Sequence, residues 1–562
     1  MKFNYIRKIT FFASLLILFS GCDFLDTKID TDLTMEAIET NRGTLWSFGN
    51  SMYTPIRSGF TSLDGNFFAA ASDEAQRTQE SGYTYFFNRG MIDPYYVNSA
   101  TDGIYTSCYD GIRAANFFLE FAKDGKELLA LNRDTLKDFI NYERDLRNLE
   151  WYRAEAHIAK AYYYAELIKR FGGVPIVETL LEKETNPGKI PRSSYDVVVD
   201  SIIKAIDRHK DALQTNWKTH PDNVSKSDGR FDLKAALAIK ARVLLYAASP
   251  LNNPDNNKGK WEKAAQAAHD VIEFMNYKMP ANRNYSTYFQ GNTASANAES
   301  IFLKRDGTNN NLERANYPIA TPGGNSGVTP TENLVSAYEY IGAPDPTNPY
   351  KNRDPRLAAT VVTNGSQWNS RTIDQSPGGT DDMRLPNTSK TGYYLKKFIR
   401  DNLNLTQNAT DYDVWIIFRY AEILLIYAEA MNEAYGPDAL PNGFTMTARQ
   451  ALTEVRNSAS TSLAAITTTS PAEFRQAIKR ERQVELAFED HRYWDLLRWK
   501  DAETVLNNPV KGVKVQKDEN GLFLYTVVDV AERKFAPINY RLPFSRAEIV
   551  NSGGTMEQNE GY

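Results

Sequence analysis

The sequence predicts a mainly α-helical protein that carries a large loop-rich insertion. Long segments place apolar residues at helical spacing, and residues 145–170 form the longest of them, with Trp151 and Ile158 on one side. Residues 278–410 differ, because they are rich in Asn, Gly, Thr, Pro and Tyr and show no sustained helical period before residues 332–340. The length of 562 residues suits one large domain or two to three closely packed ones.

Capping and helix-breaking residues set the bounds of the predicted helices. The helix over 145–170 ends before Gly172-Gly173-Val174-Pro175, since paired Gly and a Pro terminate helices. Ser193 or Ser194 can cap the next helix. The further predicted helices cover residues 195–214, 231–248, 261–275, 415–434, 446–458 and 472–500. Several pairs resemble tetratricopeptide-type hairpins, although no strict repeat period is present. The tail, 505–562, predicts short strands and loops.

The N-terminus has the features of an export signal. Lys2, Arg7 and Lys8 precede the apolar residues 9–19, and Ser20-Gly21-Cys22 follow. An apolar stretch this short does not span a bilayer, so it predicts a signal peptide. Small residues before a cysteine resemble a lipobox, which predicts cleavage before Cys22 and lipidation of its thiol; the alternative is an ordinary signal peptide with an incidental cysteine. Lipid chains would then hold a soluble domain at a membrane.

Charge and cysteine content exclude several classes of function. The chain has 65 basic and 70 acidic residues, a net charge of −5, and no basic run, so it has no electrostatic reason to bind nucleic acid. Its two cysteines, Cys22 and Cys108, exclude a disulfide scaffold and paired-cysteine metal sites. Once Cys22 is lipidated, Cys108 has no partner, and we expect it to be a buried thiol.

No motif in the sequence indicates catalysis or a cofactor. None of the five histidines lies three or four residues from another, and no phosphate-binding loop is present. One cluster of acidic residues and a histidine has two interpretations, an acid–base site or an ion-paired structural helix with interleaved arginines, and we favour the structural one. The cluster comprises Glu485, Glu489, Asp490, His491 and Asp495.

Several segments, in order along the chain, resemble motifs of the SusD/RagB family of outer-membrane lipoproteins. Residues 480–496, Arg-Glu-Arg-Gln-Val-Glu-Leu-Ala-Phe-Glu-Asp-His-Arg-Tyr-Trp-Asp-Leu, are similar to a family segment in which Gly is usual at the position of Asp490. Residues 419–430, Arg-Tyr-Ala-Glu-Ile-Leu-Leu-Ile-Tyr-Ala-Glu-Ala, resemble a family helix. Shorter similar pieces are Ser72-Asp73-Glu74, Arg170-Phe171-Gly172-Gly173-Val174-Pro175, Asp354-Pro355-Arg356-Leu357 and Gln558-Asn559-Glu560-Gly561-Tyr562.

The resemblance implies a SusD-like fold, in which tetratricopeptide-like hairpins pack against an irregular second half with a few short strands. It divides the chain into a signal peptide (1–21), a lipidated tether (22–40), a helical region (41–277) and a C-terminal region with the insertion (278–562). It also implies a SusC-like TonB-dependent transporter as partner, at the cell surface. The implied function is non-catalytic glycan binding for import; the alternatives are peptide capture or barrel gating, and a surface glycoside hydrolase.

Aromatic and planar polar side chains suit sugars, which present apolar C–H faces ringed by hydroxyls. The chain has 32 Tyr, 28 Phe and 8 Trp, so a stacking surface and a Tyr-rich core are both open interpretations. Two clusters qualify, one over residues 83–96 and one within 278–410, and family members bind ligand with both regions. The predicted ligand residues are Asp73, Tyr95, Tyr96, Arg314, Tyr317, Trp368, Arg384 and Tyr394, with Trp368 as the strongest candidate.

Overall fold

The computed structural model describes residues 42–95, 103–181, 190–217 and 229–562. Within these ranges the chain is mainly helical, and its strands form five antiparallel pairs. The predicted mainly α class with a few short strands is confirmed. None of the helices in these ranges has the length and apolar character needed to cross a membrane.

The first half is built from long helices that pack in neighbouring pairs. Its helices are α1 (Arg42–Ser51), α2 (Gly82–Asn88), α3 (Ile104–Ala122), α4 (Gly125–Ala130), α5 (Phe139–Phe171), α6 (Tyr195–His209), α7 (Leu233–Ala248) and α8 (Lys258–Met275). Ser194 caps α6 by accepting a hydrogen bond from the Val197 amide, and Asp232 caps α7 in the same way. Helix α5 packs against α3 and α6, and α7 packs against α8.

The second half mixes short helices, strand pairs and three longer helices. Its helices are α9 (Tyr285–Tyr288), α10 (Thr293–Ala296), α11 (Asn311–Asn316), α12 (Glu332–Val335), α13 (Pro355–Thr360), α14 (Tyr420–Tyr435), α15 (Ala448–Ala459), α16 (Pro471–Glu485), α17 (Arg492–Arg498), α18 (Ala502–Val505) and α19 (Arg546–Asn551). Helix α14 is buried along nearly all of its length and packs against α8, α15 and α16.

Five strand pairs complete the described structure. The strands are β1 (Ala75–Arg77), β2 (Ser300–Asn309), β3 (Val328–Pro330), β4 (Val361–Val362), β5 (Gln367–Trp368), β6 (Arg371–Thr372), β7 (Tyr394–Leu395), β8 (Asp411–Arg419), β9 (Val510–Lys517) and β10 (Phe523–Ala531). They pair as β1–β3, β2–β8, β4–β7, β5–β6 and β9–β10. The β1–β3 pair joins the N-terminal half to the loop-rich half, since Ala75 faces Pro330.

Most predicted helices are present, and two predictions are wrong in part. Residues 415–419 belong to strand β8 rather than to a helix over 415–434. The predicted helix over 472–500 is interrupted between α16 and α17, where Phe488 and Asp490 adopt positive φ angles of 60° and 62°. Helix α3 was not predicted. Cys108 on that helix is free and buried, as expected.

A buried ion-pair network joins distant segments of the second half. Arg419, at the end of β8, lies 2.6–2.8 Å from the carboxylates of Glu299, Glu485 and Glu489. Arg356 contacts the other carboxylate oxygen of Glu485 at 2.8 Å. All five side chains are almost completely buried. Because an unpaired buried charge is very unfavourable, each member fixes the position of the next.

The charge state of Glu485 reflects this arrangement. Burial by itself raises the pKa of a carboxyl group, but the guanidinium groups of Arg283, Arg419 and Arg356 outweigh burial and hold the pKa of Glu485 well below its ordinary value. Glu485 is therefore ionised, and its charge is shared among three arginines.

Removing the charge of Glu485 is expected to destabilise the fold strongly. Glu485→Gln leaves buried arginines without a full set of partners, so we expect the free energy of unfolding in urea to fall by about 3–5 kcal/mol. Asp438→Asn is a matched control, because Asp438 forms an exposed pair with Arg449, and it should change the free energy by less than about 1 kcal/mol. Equal effects of the two substitutions would contradict the structural role of the network.

Candidate functional site

An open cleft lies between the N-terminal segment and the loop-rich half. Its cavity volume is about 650 Å³, and it is lined by residues between 54 and 66, by residues between 304 and 316, and by Asp413. Most of the lining side chains end in hydroxyl, amide or charged groups. Concave sites with convergent polar groups are the usual place for a small ligand, so this cleft is the candidate functional site.

One wall of the cleft rests on an aromatic base. Ser58 caps a short 3₁₀ helix, Gly59–Thr61, and Phe60 packs edge-on against Trp415 and Phe398 with ring centroids 5.1 Å apart in each case. A Cβ atom on Gly59 would lie only 2.1 Å from the Trp415 ring, so the close approach of this segment to β8 requires glycine. The wall is thus held from behind by packed rings.

A pair of amides ties the two walls together. The side chains of Asn66 and Asn316 exchange hydrogen bonds of 3.0 and 3.3 Å, and the Asn316 carbonyl also accepts from the Val328 amide at 3.0 Å. Both asparagines are buried. Since buried amide groups are costly to leave unpaired, this clasp fixes the width of the cleft near Asn316.

Asp413 lines the cleft and is held in place by Arg400. The Arg400 guanidinium donates to Asp413 at 2.6 Å and to the buried Glu313 at 2.9 Å. Burial raises the pKa of Asp413 to about 7, Glu313 adds to the increase, and Arg400 opposes it. The Asp413 carboxyl group is therefore hydrogen-bonded to the Arg400 guanidinium and can exchange a proton near neutral pH.

One exposed and two half-buried aromatic residues lie on the segment that follows the cleft wall. Helix α2 carries Tyr83, Tyr85 and Phe86, and Tyr85 is 40% exposed. The Asp64 carboxylate accepts hydrogen bonds from the amides of Tyr83 and Thr84 at 3.0 and 2.7 Å, which anchors α2 beside the cleft-lining Gly65. These rings provide an apolar surface next to the polar cleft.

Three of the predicted ligand residues lie in the interior. Tyr317 and Tyr394 are fully buried, and Trp368 is 1% exposed and packs edge-on against Tyr317 with ring centroids 5.3 Å apart. None of the three presents a ring face to solvent, so direct stacking on a sugar does not agree with their positions. All three residues lie in the loop-rich half, where the sequence predicts a ligand cluster, but they are packed in the core of that half.

The other predicted ligand residues are dispersed. Asp73 is buried and bound at 2.8 Å by Arg492, which gives it a structural role. Tyr95 is 70% exposed and is contacted by Arg546, away from the cleft lining.

Two predicted arginines also lie outside the cleft lining. Arg314 is on α11 and donates to the Leu405 carbonyl at 2.8 Å, and Arg384 is exposed and pairs with Asp382. Tyr96 and Cys22 lie outside the described residues.

The cleft residues that sequence reasoning missed come from two short segments. Residues 54–66 show no aromatic cluster, and residues 304–309 belong to strand β2, which was not predicted. Asn316 lies within residues 278–410, the range of the second predicted cluster, and does line the cleft. The Ser, Thr and Asn content of residues 54–66 and the run Thr308-Asn309-Asn310-Asn311 are the signals that could have indicated them.

Three acidic residues of the cluster considered for catalysis form buried ion pairs, as the structural interpretation expects. Glu485 and Glu489 belong to the buried network, and Asp495 bridges Arg482 and Arg498 at 2.8 Å. Burial, together with nearby cations, holds the pKa of His491 well below its ordinary value, so this histidine is neutral. Within the described ranges, the His, Cys, Asp and Glu side chains form no group suited to a metal ion.

Solved structures define the architecture as SusD-like. A SusD-like protein from Bacteroides fragilis aligns over 94% of this chain and 98% of its own, with a TM-score of 0.74 and 24% identity. A SusD-like carbohydrate binding protein from the same organism aligns over 92% of this chain and 99% of its own, with a TM-score of 0.70 and 23% identity. At these identities the similarity establishes the fold.

Sequence comparison gives the family. The model of the SusD family matches residues 267–562, and a second family model, described as starch-binding and associating with the outer membrane, matches residues 23–245. SusD-like protein P38 of Formosa agariphila is 25% identical over 384 residues, which cover 64% of this chain and 69% of that protein. The chain belongs to the SusD family.

Substitution of Trp368 is expected to act on stability rather than on ligand contact. Trp368→Ala creates a cavity in the core of the loop-rich half, so we expect the free energy of unfolding to fall by about 3–5 kcal/mol. Gln367→Ala, at the exposed neighbouring position of the same strand, is the control and should have little effect. A stable Trp368→Ala protein with impaired ligand binding would instead place this ring in the site.

Proposed function

We propose that this chain is a non-catalytic glycan-binding protein of the bacterial cell surface, which delivers oligosaccharides to a SusC-like TonB-dependent transporter. The observation that carries the proposal is the open cleft of about 650 Å³ between residues 54–66 and 304–316. Support also comes from the family model described as starch-binding and from a related structure described as carbohydrate binding.

The chemistry of the cleft suits a hydroxyl-rich ligand. Ser, Thr and Asn side chains both donate and accept hydrogen bonds, so they can match sugar hydroxyls in several orientations. A millimolar dissociation constant requires about 4 kcal/mol, whereas one sugar face of roughly 50 Å² stacked on a ring contributes about 1 kcal/mol. Binding therefore needs the polar cleft and the rings of α2 together.

Calorimetry against a panel of oligosaccharides tests the proposal. We expect the purified domain, from residue 23 onward, to bind at least one glycan and to release no new reducing ends from it. Silence with every glycan, together with binding of peptides, would replace glycan binding by peptide capture. Release of reducing ends would replace the binding role by hydrolysis.

A large side chain placed in the cleft should weaken glycan binding without unfolding the protein. Thr61 is exposed and lines the cleft, so Thr61→Trp should weaken binding of the glycan found in the panel at least tenfold. Thr308→Trp is a matched control, because Thr308 is an exposed threonine of β2 outside the cleft lining. Equal affinity of the two variants, with unchanged thermal denaturation midpoints, would place the binding site elsewhere.

The proposed location depends on a lipid anchor at Cys22. We expect wild-type protein to fractionate with the outer membrane and Cys22→Ala protein to fractionate with the soluble proteins, because one thioether-linked lipid group is lost. Cys108→Ala is the control and should stay with the membrane, since that thiol is buried in the domain. Membrane fractionation of the Cys22→Ala variant would contradict lipidation at this residue.

A further inference from the structure

Two cationic side chains in the cleft lack a carboxylate partner. Arg57 and Lys304 both line the cleft, and no carboxylate oxygen of the described residues lies within ion-pair distance of either. Among the described residues, Lys304 donates only to the backbone carbonyl of Ile56. Both side chains are half-buried. A cation that is partly removed from water without a counter-charge loses hydration, which an anion in the cleft would restore.

Three fully buried arginines of the molecule are matched by carboxylates. Arg356, Arg419 and Arg498 each contact at least two of them within 2.8 Å. The whole chain carries a net charge of −5, so unpaired cations do not follow from an excess of basic residues. In the ranges that the structure describes, Arg57 and Lys304 share the lack of a carboxylate partner with half-buried arginines such as Arg314 and Arg353, and they differ from those two in lining the cleft.

The carboxylates of the cleft do not neutralise these cations. Asp413 is bound to Arg400 at 2.6 Å. Asp306 is exposed, and water and salt screen its interaction with the half-buried cations. The remaining polar lining consists of uncharged hydroxyl and amide groups. The part of the cleft lined by Arg57 and Lys304 is thus locally positive.

An inner cavity of about 80 Å³ shares the lining residues Arg57, Ser58 and Ser62 with the cleft. Its other charges balance within the described residues. Glu166 pairs with both Lys169 and Arg170, at 2.8 and 2.5 Å, and the nearby Asp490 offsets the remaining positive charge. Arg242 pairs with Glu422, and Glu489 pairs with Arg419 and Lys397. Arg57 lines both cavities and has no carboxylate partner in the part of the chain that the structure describes.

We propose that the cleft selects acidic glycans, and that an anionic group of the sugar binds between the Arg57 guanidinium and the Lys304 ammonium. This inference rests on the proposed glycan-binding function and names its ligand class. A planar guanidinium can donate two parallel hydrogen bonds to a carboxylate or a sulfate ester, and the ammonium adds a second charge. Both kinds of anionic group share this chemistry.

Paired ligands test the inference and separate the two anionic groups. One pair is an oligogalacturonate and its carboxyl-reduced form, and the other is a sulfated galacto-oligosaccharide and its desulfated form. Calorimetry at low salt should give at least one pair in which the charged member binds about tenfold more tightly, a difference of about 1.4 kcal/mol. That preference should diminish as NaCl rises from 50 to 500 mM, because salt screens the attraction.

Charge-removing variants locate the effect. Arg57→Gln and Lys304→Gln should each lower affinity for the charged member about tenfold and lower affinity for the neutral member by a smaller factor, so that the preference for the charged member decreases. Arg305→Gln is the matched control, since Arg305 adjoins Lys304 in sequence but does not line the cleft, and it should match wild type. Arg57→Lys, which keeps the charge but loses the planar donor pair, should fall between wild type and Arg57→Gln.

The possible outcomes separate this inference from the proposed function. Equal binding of charged and neutral members, or unchanged affinity in both Gln variants, would overturn the acidic-glycan inference and leave glycan binding intact. Failure of every glycan in the panel to bind would overturn both. If Arg57→Gln does not fold, the binding of charged and neutral ligands to the wild-type protein and to Lys304→Gln still tests the inference.

Discussion

The buried ion pairs around Glu485 are the constraint on which the rest of the structure depends. They connect Glu299 before β2, Arg356 on α13, Arg419 at the end of β8 and Glu489 after α16. The loop-rich half has few long helices to define its shape. Its irregular segments are held in position instead by buried ion pairs, because a buried charge without a partner is very unfavourable. Where the chain lacks regular hydrogen bonding, paired side chains supply the specificity.

This constraint extends to the cleft through strand β8. Arg419 ends the strand, Trp415 lies four residues earlier, and Asp413 lines the cleft two residues before that. Because the strand pairs with β2 from Arg419 to Asp411, fixing its buried end also fixes the end that lines the cleft. Gly59 then allows the N-terminal segment to approach the Trp415 ring closely. The cleft surface is thus positioned by buried groups, such as Arg419 and Trp415, that do not line it.

The sequence was most informative where local rules decide the outcome. Helices α5, α7 and α8 follow from apolar spacing and capping residues, and the family follows from residues 419–430 and 480–496. The candidate site was harder to predict, because burial of a ring such as Trp368 depends on contacts between distant segments. Composition left a stacking surface and a Tyr-rich core both open, and tertiary packing placed several rings of the loop-rich half, such as Trp368, in the core.

The clasp between Asn66 and Asn316 has a consequence for how such a protein diversifies. It joins two segments by side chains that face each other. Neighbouring exposed residues that line the cleft, such as Thr61 and Asn311, take no part in this pair of hydrogen bonds. Substitutions at those positions leave the hydrogen bonds between Asn66 and Asn316 in place. Exchanging those few exposed side chains therefore changes the chemistry of the cleft surface without altering the amide pair that joins its two sides.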